Sequence, residues 1–204
     1  MLHRVRHELL RAAPLALVIG GVIGAGLTRG LMEPLRQGST FALETTSFVT
    51  AQIFSPLVVN LVWIGCCVPA RVELASRIQA RPGAHILGPR LATAMLAALL
   101  LLPYFILAAF TASVLASPRP DLTEQLPLFL GSLTPWVVSS AVLRTLLMAA
   151  ASASLCHIIG KRCRQHPEEL AALISTSIVN CALSVVLLEV FWLAVVPPSF
   201  NGRP

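Results

Sequence analysis

Two charged side chains, Arg144 and Glu189, lie inside long apolar stretches of the sequence. A charge in hydrocarbon is costly, and such residues usually pair with one another or line a functional path. At 1.5 Å per residue, both lie ~24–28 Å from the ends of their stretches on the same side of the membrane. We therefore predict an Arg144–Glu189 ion pair between neighbouring helices. The alternative is that each side chain snorkels separately to the outer surface.

The composition of the whole chain is that of a membrane protein. Of its 204 residues, 56% are hydrophobic and 12% are charged, and the mean hydropathy is +0.80. Soluble domains carry about 25% charged residues, so a soluble protein of this length could not bury this much apolar surface. The apolar runs are unbroken rather than alternating, which disfavours a β-barrel. We predict a single-domain, all-α integral membrane protein.

Five apolar runs are long enough to be membrane spans, because one span needs about 20 residues. The predicted spans are 14–32, 48–68, 91–116, 135–159 and 170–196. The last apolar stretch before residue 160 is too long for one span, so we predict a short outer-side helix at 126–133 ahead of the fourth span. Residues 1–13 are basic with interspersed leucines. A signal peptide is the alternative there, and we expect a retained amphipathic helix at the membrane surface.

The distribution of Lys and Arg between the links predicts the orientation. Five spans place the two ends of the chain on opposite sides. Ten of the 15 basic residues fall on the side of the N-terminus, four fall on the other side, and Arg144 is inside a span. Because cytoplasmic links are enriched in Lys and Arg, we predict a cytoplasmic N-terminus and an external C-terminus. The basic residues form no patch with interleaved aromatic residues, which argues against nucleic-acid binding.

The link between the second and third spans, residues 69–90, carries a group of charged side chains. Arg71, Glu73, Arg77 and Arg81 fall in it. Charged groups at a membrane surface can form charge-assisted hydrogen bonds with a protein partner. We predict that this segment lies on the cytoplasmic side and that, if the protein is driven from the cytoplasm, the driving partner contacts it.

Glycines in the first span have the spacing of a helix-packing face. Gly20 and Gly24 are four residues apart, as are Gly26 and Gly30. Small residues at this spacing let membrane helices approach closely. We predict that the first span packs through Gly20 and Gly24.

The sequence shows no recognisable catalytic or metal site. It has no phosphate-binding G-x-x-x-x-G-K-[ST] loop. A protease-like pairing of Ser132 with His157 would place the two residues ~37 Å apart along one helix. The group of Cys156, His157, Cys163 and His166 matches no strong metal-ligand spacing. We therefore expect a transport or scaffolding role, with no cofactor or metal bound by this chain.

Several motifs follow one another in a recognisable order. A glycine-rich first span covers Leu15–Gly30, and Ser55-Pro56 opens a stretch that ends at Gly65. Gly88-Pro89-Arg90 opens the third span, and Ser175-Thr176-Ser177 precedes most of the last span. This order resembles the MlaE (YrbE) family of ABC-transporter permeases, which move phospholipids together with MCE-domain proteins. By this resemblance, Glu189 falls where the family has an intramembrane Asp, and Arg144 falls where relatives can carry Lys.

The resemblance implies a function and a set of partners. It implies a homodimeric permease in the bacterial inner membrane, with its C-terminus in the periplasm. ATP and Mg²⁺ would bind to a separate cytoplasmic ATPase, and an MCE-domain protein would sit on the outer side. The ATPase would couple to this chain through Arg71, Glu73, Arg77 and Arg81. A phospholipid cavity would lie at the dimer interface, and we place Phe41, Phe48 and Phe54 at its wall.

The sequence also departs from the family pattern in the coupling region. Cys66 stands where the family has Arg, and Val68-Pro69 replaces a Gly-Ser pair. About a dozen family residues that form the coupling helix are missing before Gly88. The chain would therefore dock on its ATPase through a reduced contact, or it would have an altered partner. The alternative function is a non-transporting membrane scaffold that assembles partner proteins.

Overall fold

The computed structural model describes residues 2–35, 48–77, 87–116, 131, 134–165 and 170–196. Within these ranges the chain forms long helices and no strand. They are α1 (Leu2–Leu35), α2 (Ser55–Arg77), α3 (Leu87–Ala116), α4 (Pro135–Gln165) and α5 (Leu170–Val195). Each is long and apolar enough to cross a membrane. The predicted all-helical architecture with five such helices is confirmed.

Helix α2 occupies the centre of the bundle and contacts the other four helices. Its largest buried side chains are Trp63, Ile64 and Val68, which contact almost no solvent. Helix α1 packs mainly on α3, and α5 packs on α2 and α4. Many of the buried positions of α3 are alanines, so its neighbours can approach closely.

The predicted glycine face of α1 packs directly on α3. A Cβ atom at Gly24 would lie 2.0 Å from the Ala109 carbonyl oxygen, and one at Gly20 would lie 2.7 Å from that of Phe105. A Cβ at Gly26 or Gly30 would meet nothing within 4 Å. Gly20 and Gly24 therefore allow the close approach of α1 and α3, whereas Gly26 and Gly30 do not contribute to it.

The N-terminal residues do not form a separate surface helix, which corrects the prediction for 1–13. Helix α1 runs without a break from Leu2 to Leu35. Val5, Ala12 and Ala16 are buried on the face that continues to Gly20. Because this face packs against the bundle along its whole length, nothing separates the basic segment from the span.

The predicted cytoplasmic link 69–90 is also shorter than expected. Helix α2 continues through Pro69 to Arg77, and α3 begins at Leu87. Pro69 does not end α2, because Val68 and Val72 keep it packed in the core and membrane helices tolerate proline. Residues 78–86 lie outside the described ranges, as does the predicted short helix at 126–133 except for Gly131.

Candidate functional site

Arg144 and Glu189 meet inside the bundle. The Nη1 atom of Arg144 donates a hydrogen bond to Oε1 of Glu189 over 2.8 Å, joining α4 to α5. Their side chains are only 2% and 5% exposed. The Arg144 guanidinium also lies 5.9 Å from the centre of the Trp192 ring. The two charges are thus paired within the protein and do not snorkel separately.

Gln52 of the segment before α2 completes this group. The Nη2 atom of Arg144 donates to the Gln52 side-chain oxygen over 2.6 Å, and it also donates to the Gln52 backbone oxygen. Gln52 itself is buried. We call Gln52, Arg144 and Glu189 the polar junction, because these three residues connect the segment before α2 with helices α4 and α5.

The local sequence explains why the Gln52 carbonyl is available. In an α-helix this carbonyl would accept the N–H of residue 56, but Pro56 has no N–H to give. Residues Thr50–Phe54 instead form a π-helical turn, in which the Ser55 N–H bonds to the Thr50 oxygen. The Ser55 hydroxyl donates to the oxygens of Thr50 and Ala51. Arg144 therefore binds a carbonyl that the helix leaves free.

The polar junction lies near one end of the bundle. Arg144 is about 14 Å along the axis from the start of α4 at Pro135, and Glu189 is about 9 Å from the end of α5 at Val195. In the described structure, Oε2 of Glu189 and the hydroxyl of Thr50 are buried without a hydrogen-bond partner. Unpaired buried oxygens are costly, so the junction has unused hydrogen-bonding capacity.

A neighbouring polar contact extends the junction toward the middle of the bundle. The Nδ2 atom of Asn60 donates to the Pro56 oxygen over 2.8 Å and lies 3.4 Å from the Thr145 oxygen. Asn60 is fully buried. Helices α2 and α4 are thus joined by polar contacts over two turns.

The predicted coupling residue Arg71 is engaged inside the bundle. Its guanidinium forms a bidentate pair with Glu8 of α1, with Nε donating to Oε1 and Nη2 donating to Oε2, each over 2.9 Å. It also donates to the Arg90 backbone oxygen and lies 4.9 Å from the Trp63 ring centre. Arg71 therefore ties α2 to α1 and α3.

The other predicted coupling residues are not brought together in the described structure. Glu73 is half-buried on α2. Arg77 is the last residue of α2 and its side chain lies outside the described part, as does the whole of Arg81. That the four residues form one contact surface stays a prediction.

Of the three phenylalanines proposed for a lipid cavity, the two that the structure describes belong to different packing clusters. Phe48 is buried beside Ala51 and Val137. Phe54 packs, partly buried, against the main core of the bundle. Phe41 lies outside the described residues. The two described rings contribute to packing within one copy of the chain.

Of the group Cys156, His157, Cys163 and His166, the structure describes the side chains of the first two only. The Sγ atoms of Cys156 and Cys181 are 3.8 Å apart in the core, whereas His157 lines a cleft. His166 and the side chain of Cys163 lie outside the described part of the chain. In the ranges that the structure describes, no three His, Cys, Asp or Glu side chains come together as a metal site.

Sequence reasoning missed Gln52 and Glu8, the partners of the two predicted arginines. A signal for Gln52 was present, because Pro56 follows it by four residues and leaves its carbonyl unpaired. Glu8 was the only acidic residue in a basic segment, which is a signal for an internal ion pair.

Comparisons with known proteins identify no family for this chain. No protein-family model matches it, and no curated protein matches it. The resemblance to MlaE-type permeases therefore depends on the motifs of the sequence alone.

Proposed function

We propose that this chain is the membrane-spanning permease subunit of a lipid transporter driven by a separate cytoplasmic ATPase. Its substrate would be a phospholipid exchanged with a periplasmic MCE-type partner, and it would act as a homodimer. The order of the motifs supports this proposal. The chain itself would carry no catalytic residue.

The polar junction is the observation that carries the proposal. A membrane anchor needs only apolar helices, and a buried Arg–Glu–Gln group is costly in such a setting. The junction links three helical segments at a π-helical turn, a feature found frequently at functional sites. Such a group can fix the relative position of the helices in one state of a transport cycle and release it in another.

Exposed apolar side chains mark the faces of the bundle that lipid or a second copy would cover. Helices α1 and α5 are the least buried of the five. On α5, Val179, Leu183 and Val190 are each more than half exposed. Lipid or a second copy would cover these surfaces, and the resemblance favours a second copy at one of them.

The position of Arg71 changes the proposed coupling to the ATPase. Because Arg71 is held by Glu8, it is unsuited to direct contact with a partner. It instead connects α1, α2 and α3, so that a force on the end of α2 would reach the bundle. We assign the direct contacts with the ATPase to Arg77, the last residue of α2, and to Arg81, which follows α2 in the sequence.

Purification from the native membrane tests the proposal against the scaffold alternative. We expect an ATPase to co-purify with the full chain, and we expect its ATP hydrolysis to be stimulated by this subunit. Absence of any ATPase from the purified complex would overturn the permease assignment and favour the scaffold.

Substitution of the proposed contacts refines the same experiment. Arg77→Gln with Arg81→Gln should reduce ATPase stimulation at least severalfold, because each arginine would provide a charge-assisted contact. Arg29→Gln serves as the control, since Arg29 is exposed toward the opposite end of α1. Equal stimulation by the double variant and the control would refute the coupling assignment.

A further inference from the structure

Arginine side chains from three helices converge at the end of the bundle opposite the polar junction. Two clefts lie there, both lined by Glu8 and Arg71, with free volumes of about 50 Å³ and 360 Å³. Four arginines and one glutamate line them, so their net charge is +3 with the histidines neutral. The arginines are Arg4, Arg11, Arg71 and Arg90.

The single acidic side chain of the clefts is already neutralised. Both carboxylate oxygens of Glu8 accept hydrogen bonds from Arg71, and Oε2 also accepts one from Trp63 Nε1 at 3.1 Å. Glu8 therefore offers little repulsion to an incoming anion. The positive charge of the clefts comes from the remaining arginines.

Two of those arginines have no partner of their own in the described structure. Neither the Arg4 nor the Arg90 guanidinium forms a hydrogen bond or ion pair with a described residue. Both line the smaller cleft, together with His157 of α4. The Nδ1 atom of His157 is buried without a hydrogen-bond partner among the described residues. An anionic oxygen in this cleft would give the Arg4 and Arg90 guanidinium groups a charge-assisted hydrogen-bond partner.

The position of the clefts identifies the source of such an anion. They lie where α1 and α3 begin and where α2 and α4 approach their ends, which is the level of lipid headgroups for helices of this length. Basic pockets between membrane helices on the cytoplasmic side bind anionic headgroups. The count of Lys and Arg in the sequence predicts that this end is cytoplasmic.

We propose that the cleft between Arg4, Arg90 and His157 binds the phosphate group of an anionic phospholipid from the adjacent leaflet. This site is separate from the polar junction, and it does not depend on transport. A bound lipid would join α1, α3 and α4 at the end where Glu8 and Arg71 already join α1 to α2.

Lipid binding to the purified full chain tests this proposal. Native mass spectrometry would measure retention of phosphatidylglycerol and of zwitterionic phosphatidylcholine by the wild type, with phosphatidylglycerol expected to be retained preferentially. Arg4→Gln with Arg90→Gln should weaken phosphatidylglycerol binding about tenfold. Arg6→Gln with Arg162→Gln removes the same charge from exposed positions at the same end and outside both clefts, and should change binding less than about twofold.

The other outcomes each decide the matter. Equal weakening by the two double variants would overturn the site, because bulk charge would then explain the preference. Unchanged binding by R4Q/R90Q would also overturn it. Binding of inorganic phosphate at millimolar concentration without any retention of phosphatidylglycerol would overturn the assignment to lipid. If R4Q/R90Q does not fold, R4K/R90K keeps the charge and should retain the preference for phosphatidylglycerol, and its loss to the level of phosphatidylcholine would contradict a charge-based site.

Discussion

The two charged side chains of the polar junction are almost fully buried. Arg144 is 2% exposed and Glu189 is 4% exposed, so neither charge can be solvated if the other is removed. Breaking such a pair from one side costs about 3–5 kcal/mol, whereas replacing both partners by apolar residues is often neutral. A stability measurement can therefore separate the pair from its two members.

Arg144→Met alone should lower the free energy of unfolding by about 3–5 kcal/mol, because it leaves Glu189 buried and unpaired. Arg144→Met combined with Glu189→Leu should recover most of that loss. Thermal melting of the purified protein measures both. A charge exchange, R144E with E189R, should also be more stable than either of its single variants, and its failure to exceed them would contradict pairing.

At the residue scale the sequence predicted the pair but not its surroundings. Arg144 and Glu189 stood out because charges are rare in apolar runs. Gln52 is uncharged and lies near the start of a span, so its only signal was indirect: Pro56, four residues later, has no N–H to donate to the Gln52 carbonyl. Glu8 was hidden because the basic residues around it suggested a surface segment. Partners that depend on which helices touch could not be read from spacing along one helix.

At the scale of elements, the π-helical turn before α2 depends on Pro56. Pro56→Ala would supply an N–H that can bond to the Gln52 carbonyl, in competition with Arg144. We expect lower lipid transfer by this variant with a change of less than about 1 kcal/mol in stability. Pro103→Ala in α3 is the matched control, because Pro103 lies within a different helix and is exposed. Wild-type transfer by P56A would contradict a role for the freed carbonyl.

The α1–α3 contact allows a comparison of one substitution at two positions. Gly24→Ala should destabilise the protein by about 1–3 kcal/mol, because its Cβ would overlap the backbone of Ala109. Gly26→Ala meets open space and should be neutral or slightly stabilising, since Ala is the better helix former. Melting temperatures of the two variants provide the test. Equal effects would show that close approach at Gly24 is not what holds α1 on α3.

The sequence predicted the helices correctly where apolar runs define them. It misplaced the helix ends where packing against neighbouring helices defines them. The five apolar runs identified five helices. The ends of α1 and α2 extend beyond those runs, because Val5 and Val72 are buried against neighbours and keep polar segments helical. The basic residues near Val5 suggested a surface helix, and those near Val72 suggested a loop. Only the contacts with neighbouring helices show that both segments belong to the bundle.

In the molecule as a whole, α2 links two polar groups at opposite ends. Gln52 lies in the junction with Arg144, and Arg71 lies in the pair with Glu8, about 28 Å away along the helix axis. A displacement at the end of α2 would therefore act on both groups. In the proposed transporter, this arrangement would give the ATPase a mechanical path to the helices of the bundle.

Lipid transfer in reconstituted vesicles tests the central claim most directly. The complete complex, purified from its native membrane, would be assayed for ATP-dependent movement of a fluorescent phospholipid. The R144M/E189L variant is suited to the comparison because it should fold with nearly wild-type stability. We predict ATP-dependent transfer by the wild type and at least tenfold slower transfer by the variant. Absence of transfer by the wild type, or equal transfer by the two, would contradict a transport function based on the polar junction.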